Sequence, residues 1–129
     1  MTDDALARRG TREVLEDHLR LRGDGNLEAD VERNYATDVQ VVSLMTRGRG
    51  HDCLRAMAGE LEETCPTNGY DCDELIVEGS VGMLVWSARC PDGRIAEAVD
   101  SFVVERGRIT VQTVHYHLRR NVEDDEPTG

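Results

Sequence analysis

No run of eighteen apolar residues occurs in these 129 residues, and Met1 to Gly10 contains no apolar stretch of the kind a secretory leader carries. Neither membrane spanning nor secretion is expected, and the chain reads as cytoplasmic. Positive charge is also scarce: 15 basic against 26 acidic side chains give a formal net charge of −11. The basic residues are scattered, with no patch and no interleaved aromatics. Nucleic acid and anionic membrane surfaces need a positive field to offset their own charge, so neither is an expected partner. A glycine-rich phosphate loop, a metal-ligand set and a nucleophile–base motif are missing as well, which argues against kinase, redox and hydrolase chemistry.

The four cysteines, Cys53, Cys65, Cys72 and Cys90, contain no C-x-x-C pair. His51 lies near Cys53, and Cys65 near Cys72, but zinc ligands come in tight pairs that fix corners of a tetrahedron, and no second matching pair exists. No metal is expected. In a cytosolic chain large enough to do without staples, all four read as reduced, buried or half-buried thiols.

A chain of this length buries one core and forms one domain. From Thr11, taken as a capping residue, Val14, Leu15, Leu19 and Leu21 form the stripe of an amphipathic helix ending near Gly23. A second helix is expected from about Asn26 to Tyr35, and a third carries Leu54, Met57, Ala58 and Leu61 up to Pro66. Val39 to Met45 reads as a strand, followed by a polar loop at Arg47 to Gly50. After Pro66 the period becomes extended, and turns at Gly79-Ser80, Pro91-Asp92-Gly93 and Arg106-Gly107 cut four strands near 70–78, 82–90, 94–105 and 108–119. Turns that short make neighbouring strands antiparallel, so the class is α+β. Residues 1–10 are expected to be flexible or to extend the first helix, 11–119 to form the domain, and the acidic tail 120–129 to be disordered.

With Arg106-Gly107 at the centre of a tight hairpin and an unbroken register, Phe102 faces Val111, Asp100 faces Thr113 and Ala98 faces His115, all on the core side. Gln112 and Tyr116 then fall on the outer face. An aspartate on a core-facing strand position is costly unless it is bonded or wet, which suggests a cavity. Asp100 and His115, diagonal neighbours in this register, form a candidate acid–base pair. The alternative is a carboxylate that only holds the sheet together.

The run Asp100-Ser101-Phe102-Val103-Val104-Glu105-Arg106-Gly107-Arg108-Ile109, continued by Val111-Gln112-Thr113-Val114-His115-Tyr116, resembles the closing hairpin of SnoaL-like proteins in the nuclear transport factor two (NTF2-like) superfamily. Gly25-Asn26-Leu27, Asn34-Tyr35-Ala36-Thr37-Asp38-Val39 and Gly50-His51-Asp52 fall in the matching order. The resemblance implies a cone-shaped, cystatin-like α+β fold, with three N-terminal helices packed on a curved antiparallel sheet. It also implies a pocket for a small hydrophobic or polyketide-like molecule, a homodimer through the outer sheet face, and chemistry without a cofactor. Asp100 resembles the pocket aspartate of SnoaL-type proteins. Asp38 reads as a turn residue, and the tyrosine that ketosteroid isomerases carry on helix one has no counterpart beyond His18.

The expected site therefore holds Asp100 and His115 as catalytic groups, with His18, Tyr35, Trp86, Phe102 and Thr113 as ligand contacts. The expected function is a small-molecule pocket for proton transfer of the isomerase, dehydratase or cyclase type. The alternative is a non-catalytic ligand-binding or dimeric interaction module of the same fold.

Overall fold

The computed structural model describes residues 2–66 and 70–120. Four helices, α1 (Asp3–Ala7), α2 (Thr11–Gly23), α3 (Leu27–Asn34) and α4 (His51–Thr64), accompany six strands: β1 (Tyr35–Val42), β2 (Arg47–Arg49), β3 (Asp71–Glu78), β4 (Val81–Arg89), β5 (Arg94–Glu105) and β6 (Arg108–Arg120). The strands form one curved, unclosed sheet in the order β2-β1-β6-β5-β4-β3. Neighbours are antiparallel except β1 and β6, which run parallel and make the sheet mixed. The expected polar loop at Arg47 is β2, an edge strand pairing Val42 with Arg47.

Residues 3–7 form a separate short helix rather than an extension of α2, and its Leu6 is buried. Arg9 fastens this segment, donating to Asn34 Oδ1 at 2.7 Å and to the carbonyls of Arg33 at 3.0 Å and Gly107 at 2.8 Å. Gly10, not Thr11, is the N-cap of α2, and its amide donates to Glu13 Oε1. The Thr11 hydroxyl donates instead to the Gly79 carbonyl at 2.7 Å, tying α2 to the β3–β4 turn. At α3, Asn26 caps the Ala29 amide at 3.2 Å, and the helix stops one residue before Tyr35, which opens β1.

The apolar stripe of α2 lies on β4 and β5. A Cβ on Gly82 would stand 2.3 Å from Leu15 Cδ1, so any side chain there would have to push aside the end of the buried Leu15 where the helix approaches the sheet. Val14, Leu15, Val31, Leu54, Phe102 and Ile109 are almost fully buried, each apolar side chain contributing about 1.5–3 kcal/mol on leaving water. Cys65 and Cys90 are joined in a disulfide that links the end of α4 to the end of β4. This corrects the expectation of four reduced thiols: helix end and strand end meet across the core, which spacing along the chain does not reveal. Cys53 and Cys72 are free. The expected acidic tail lies, apart from Arg120, outside the described residues. Among the described residues no helix is long and apolar enough to cross a membrane.

The β5–β6 hairpin departs from a straight register by one residue. Glu105 pairs with Arg108 and Val104 with Ile109 through a tight turn, where Arg106 and Gly107 take positive φ values of 50° and 71°. A bulge at Thr110 then shifts the ladder, so that Phe102 faces Gln112, Ser101 faces Thr113, Asp100 faces Val114 and Val99 faces His115. Because side chains alternate across a strand, one inserted residue exchanges the faces of everything beyond it. Gln112, Val114 and Tyr116 turn inward, while Thr113, His115 and His117 turn outward.

Candidate functional site

A cavity of about 170 Å³ opens between α2, α4 and the concave face of the sheet, with His18, Arg22, Leu54, Leu84, Trp86 and Asp100 among its lining residues. Its floor is buried: Leu54 is 1% exposed, Leu84 4% and Asp100 6%. Its mouth is at Gly23, Tyr70 and Cys72, all exposed. The volume is close to that of apolar protein cavities of about 150 Å³ that take up a benzene-sized guest. A wider groove of about 590 Å³ lies on the outer face, beside Glu97, His115 and His117. That groove is larger, but the buried ionisable groups are in the inner cavity, so the chemistry is sought there.

Asp100 sits at the inner end. The Trp86 Nε1–H donates to its Oδ1 at 3.0 Å, and Gln112 Nε2 donates to its Oδ2 at 3.2 Å. Among the described residues no backbone group bonds its side chain, so each carboxylate oxygen keeps accepting capacity. Burial pushes the Asp100 carboxyl up from 3.8 to about 6, against the opposing pull of Trp86, the nearby His18 and Gln112. Tyr35 is fully buried and burial holds its phenol protonated, well above 10. Its hydroxyl donates to Gln112 Oε1, which fixes the amide with its nitrogen toward Asp100. Tyr35, Gln112 and Asp100 thus form a chain of donors aimed at one carboxylate.

The second ionisable group comes from α2. His18 Nδ1 lies 2.7 Å from Asp30 Oδ2, and Asp30 Oδ1 accepts from Asn34 Nδ2 at 2.8 Å. With both partners buried, the carboxylate orients the ring as aspartate orients histidine in many acid–base sites. The ring's Nε2 has no partner among the described residues and is the nitrogen available to the cavity. Asn34 connects this pair to Asp17 at 3.0 Å and to Arg9, so the N-terminal segment braces the site.

The structure brings together Asp100, His18, Tyr35 and Trp86, and sets the buried Phe102 against the His18 ring at 5.5 Å between centroids. It does not bring His115 or Thr113 to them. The Thr110 bulge puts both on the outer face, His115 exposed and opposite Val99, Thr113 opposite Ser101. Gln112, assigned by the straight register to the outer face, is the residue that bonds Asp100. Asp30, Asn34 and Arg9 were not singled out either. Leu27, Asp30, Val31 and Asn34 share the 3-4-7 spacing of one helix face, which is the signal that places Asp30 and Asn34 inward. His51 is engaged elsewhere, its Nε2–H donating to the carbonyls of Tyr35 at 3.2 Å and Ala36 at 3.1 Å.

A curved sheet cupping helices is an arrangement shared by solved structures. An NTF-2 like protein of unknown function from Burkholderia xenovorans LB400 matches with a TM-score of 0.66 at 20% identity, over 92% of this chain and 88% of that one. The fold is NTF2-like. A candidate isomerase of the SnoaL-like family from Agrobacterium tumefaciens matches the NTF2-like fold of this chain with a TM-score of 0.63 at 18% identity, covering 83% and 97%. A de novo designed protein with a curved β-sheet reaches a TM-score of 0.70 at 15% identity, covering 85% and 87%. The likeness is therefore one of NTF2-like architecture, and function has to be argued from the site. No family model and no curated protein matches the sequence.

Proposed function

We propose that the inner cavity binds a small, largely apolar molecule and carries out proton transfer on it without a cofactor, with Asp100 as the acid–base group and His18, oriented by Asp30, as its partner. The observation that carries this reading is Asp100 itself, a carboxyl at the floor of a cavity whose proton affinity is raised by burial to about 6. A base with a pKa near the working pH is both ionised enough to accept a proton and basic enough to hold it. His115, the partner expected from the straight register, has no part in this site. The cavity volume supports a substrate with one ring of benzene size over a fused polyketide or steroid skeleton. Self-association through the outer sheet face accompanies this proposal, since Ile76, Val81 and Met83 stand exposed there.

The purely structural alternative for Asp100 is disfavoured by its bonds, which among the described residues come from two side chains lining the cavity and from no backbone group. Incubating the protein with monocyclic ketones in deuterated water and following loss of the α-proton signal by NMR tests the reading. The wild type is expected to catalyse exchange, with Asp100→Asn slower by about 10² or more, the usual contribution of a positioned acid–base group. Equal exchange by wild type and Asp100→Asn would remove Asp100 from the chemistry.

A further inference from the structure

Arg22 is the only arginine among the cavity's lining residues, and it makes no ion pair or hydrogen bond among the described residues. Helix α2 puts it one turn beyond His18 on the same face, since positions four apart stack along a helix about 6 Å from one another. His18 is buried and Arg22 half-buried, beside the exposed Gly23 at the mouth. The two side chains therefore mark the inside and the entrance of one wall. Arg20, also in the last turn of α2, pairs with Asp17 at 2.6 Å and serves the helix end in the usual way. Arg22 points its charge elsewhere. Burial raises the carboxyl of Asp100 and the phenols of Tyr35 and Tyr70, and in all three the positive charge of Arg22 opposes that rise.

Between Arg22 and the polar floor the walls are apolar, formed by Leu19, Leu54, Met57 and Leu84. A net charge of −11 repels anions at long range, so an unpaired local cation at this one cavity is informative. A single planar guanidinium presents two parallel donors, the complement of one carboxylate. A phosphate dianion would call for more than one cation, and the cavity has no other arginine.

We propose that the ligand of this cavity is a small monocarboxylate, its carboxylate held by the Arg22 guanidinium at the mouth and its apolar body lying inward against Leu54, Met57 and Leu84. This rests on the small-molecule reading of the preceding section and adds the charge and orientation of the ligand. With the carboxylate fixed at the entrance, the far end of a six-membered ring is directed toward Asp100 and His18, and the two carboxylates are kept at opposite ends of the cavity.

The chain has one tryptophan, and its indole N–H bonds Asp100 at the cavity floor, so a single indole cross-peak in a nitrogen-15 NMR spectrum reports occupancy. The full-length protein is titrated with benzoate and, separately, with benzamide, which has the same ring and nearly the same size without the charge, at about pH 7.5, where benzoate is ionised. Benzoate is expected to bind about tenfold or more tightly than benzamide, the size of one charge-assisted contact. In Arg22→Gln the benzoate affinity should fall to that of benzamide, with benzamide itself unchanged within about twofold, and Arg22→Lys should retain part of the preference. Equal affinities in the wild type, or a benzoate preference that survives Arg22→Gln, would overturn the assignment while leaving the cavity reading in place. If neither compound moves the indole signal, the small-molecule reading falls, and this inference with it. Should Arg22→Gln fail to fold, the wild-type comparison of the two compounds decides alone.

Discussion

Asp100 is held between opposing influences. Burial favours its neutral form, while the N–H groups of Trp86 and Gln112 favour the carboxylate, and burial wins by enough to leave the group at about 6. The folded chain keeps this proton up to about pH 6, whereas the unfolded chain releases it near 3.8. Between those values the folded state binds more protons, so the contribution of Asp100 to stability falls as pH rises through that window and then stays low. The gap from 3.8 to about 6 amounts to about 3 kcal/mol, at about 1.4 kcal/mol per tenfold change in proton affinity. Asp100→Asn cannot ionise, and the bond its amide nitrogen fails to make costs about 1 kcal/mol at every pH. The variant should therefore gain on the wild type by about 3 kcal/mol when urea unfolding is compared at about pH 3.5 and about pH 7.5. A difference between the two proteins that does not change with pH would mean that Asp100 is not raised in the folded state.

At the scale of elements, the strand β6 decides which residues reach the cavity. The helix stripes were legible because their 3.6-residue period is averaged over many positions, and Leu15, Leu54 and Met57 are buried as that period requires. The hairpin turn was legible too, since Arg106-Gly107 supplies the two positive φ values such a turn needs. The face of His115 was not, because a two-residue period has no redundancy and one bulge inverts it. A trace of the bulge is present in the chain: before Thr110 the inward apolar residue Ile109 stands at an odd position, and beyond it the inward apolar residues Val114, Tyr116 and Leu118 stand at even ones, with the odd Val111 on the outer face. The Cys65–Cys90 bridge left no comparable trace. Deleting Thr110 tests the role of the bulge directly. The ladder would then run straight, turning Thr113 and His115 inward and expelling Gln112 and Val114, so that Asp100 loses a donor and the core loses apolar area. Loss of a cooperative urea transition, or a fall in stability above about 3 kcal/mol, is expected for the deletion, against about 1 kcal/mol or less for Thr110→Val, which keeps the bulge. A deletion variant as stable as the wild type would show that the bulge does not set the inward face.

Among the described residues, the inner face of the sheet is covered by helices and the outer face by none. Across the outer face, cross-strand partners line up in rows: Ile76 with Met83, Ser101 and Thr113; Val81 with Val103 and Val111; Val85 with Val99 and His115. The first two rows keep large apolar side chains in water, with Ile76 43% exposed, Val81 51% and Met83 36%. Such a surface is suited to a second copy related by a two-fold axis, because matching apolar rows then meet one another. A stable dimer buries about 800 Å² on each partner, so the contact would have to extend over several of these rows. Each chain carries −11, so association brings like charges together, and added salt should tighten the dimer by screening them. Sedimentation equilibrium is expected to give a dimer that strengthens from about 0.05 to about 0.5 M salt, over which the Debye length shortens several-fold. Met83→Glu puts a charge in the middle of the apolar rows and should yield a monomer whose inner cavity is untouched, since Met83 faces away from it. A wild type that sediments as a monomer at all salt concentrations, or a Met83→Glu variant that stays dimeric, would show that the outer face is not where copies meet. His115 and Thr113 would then have no surface to serve.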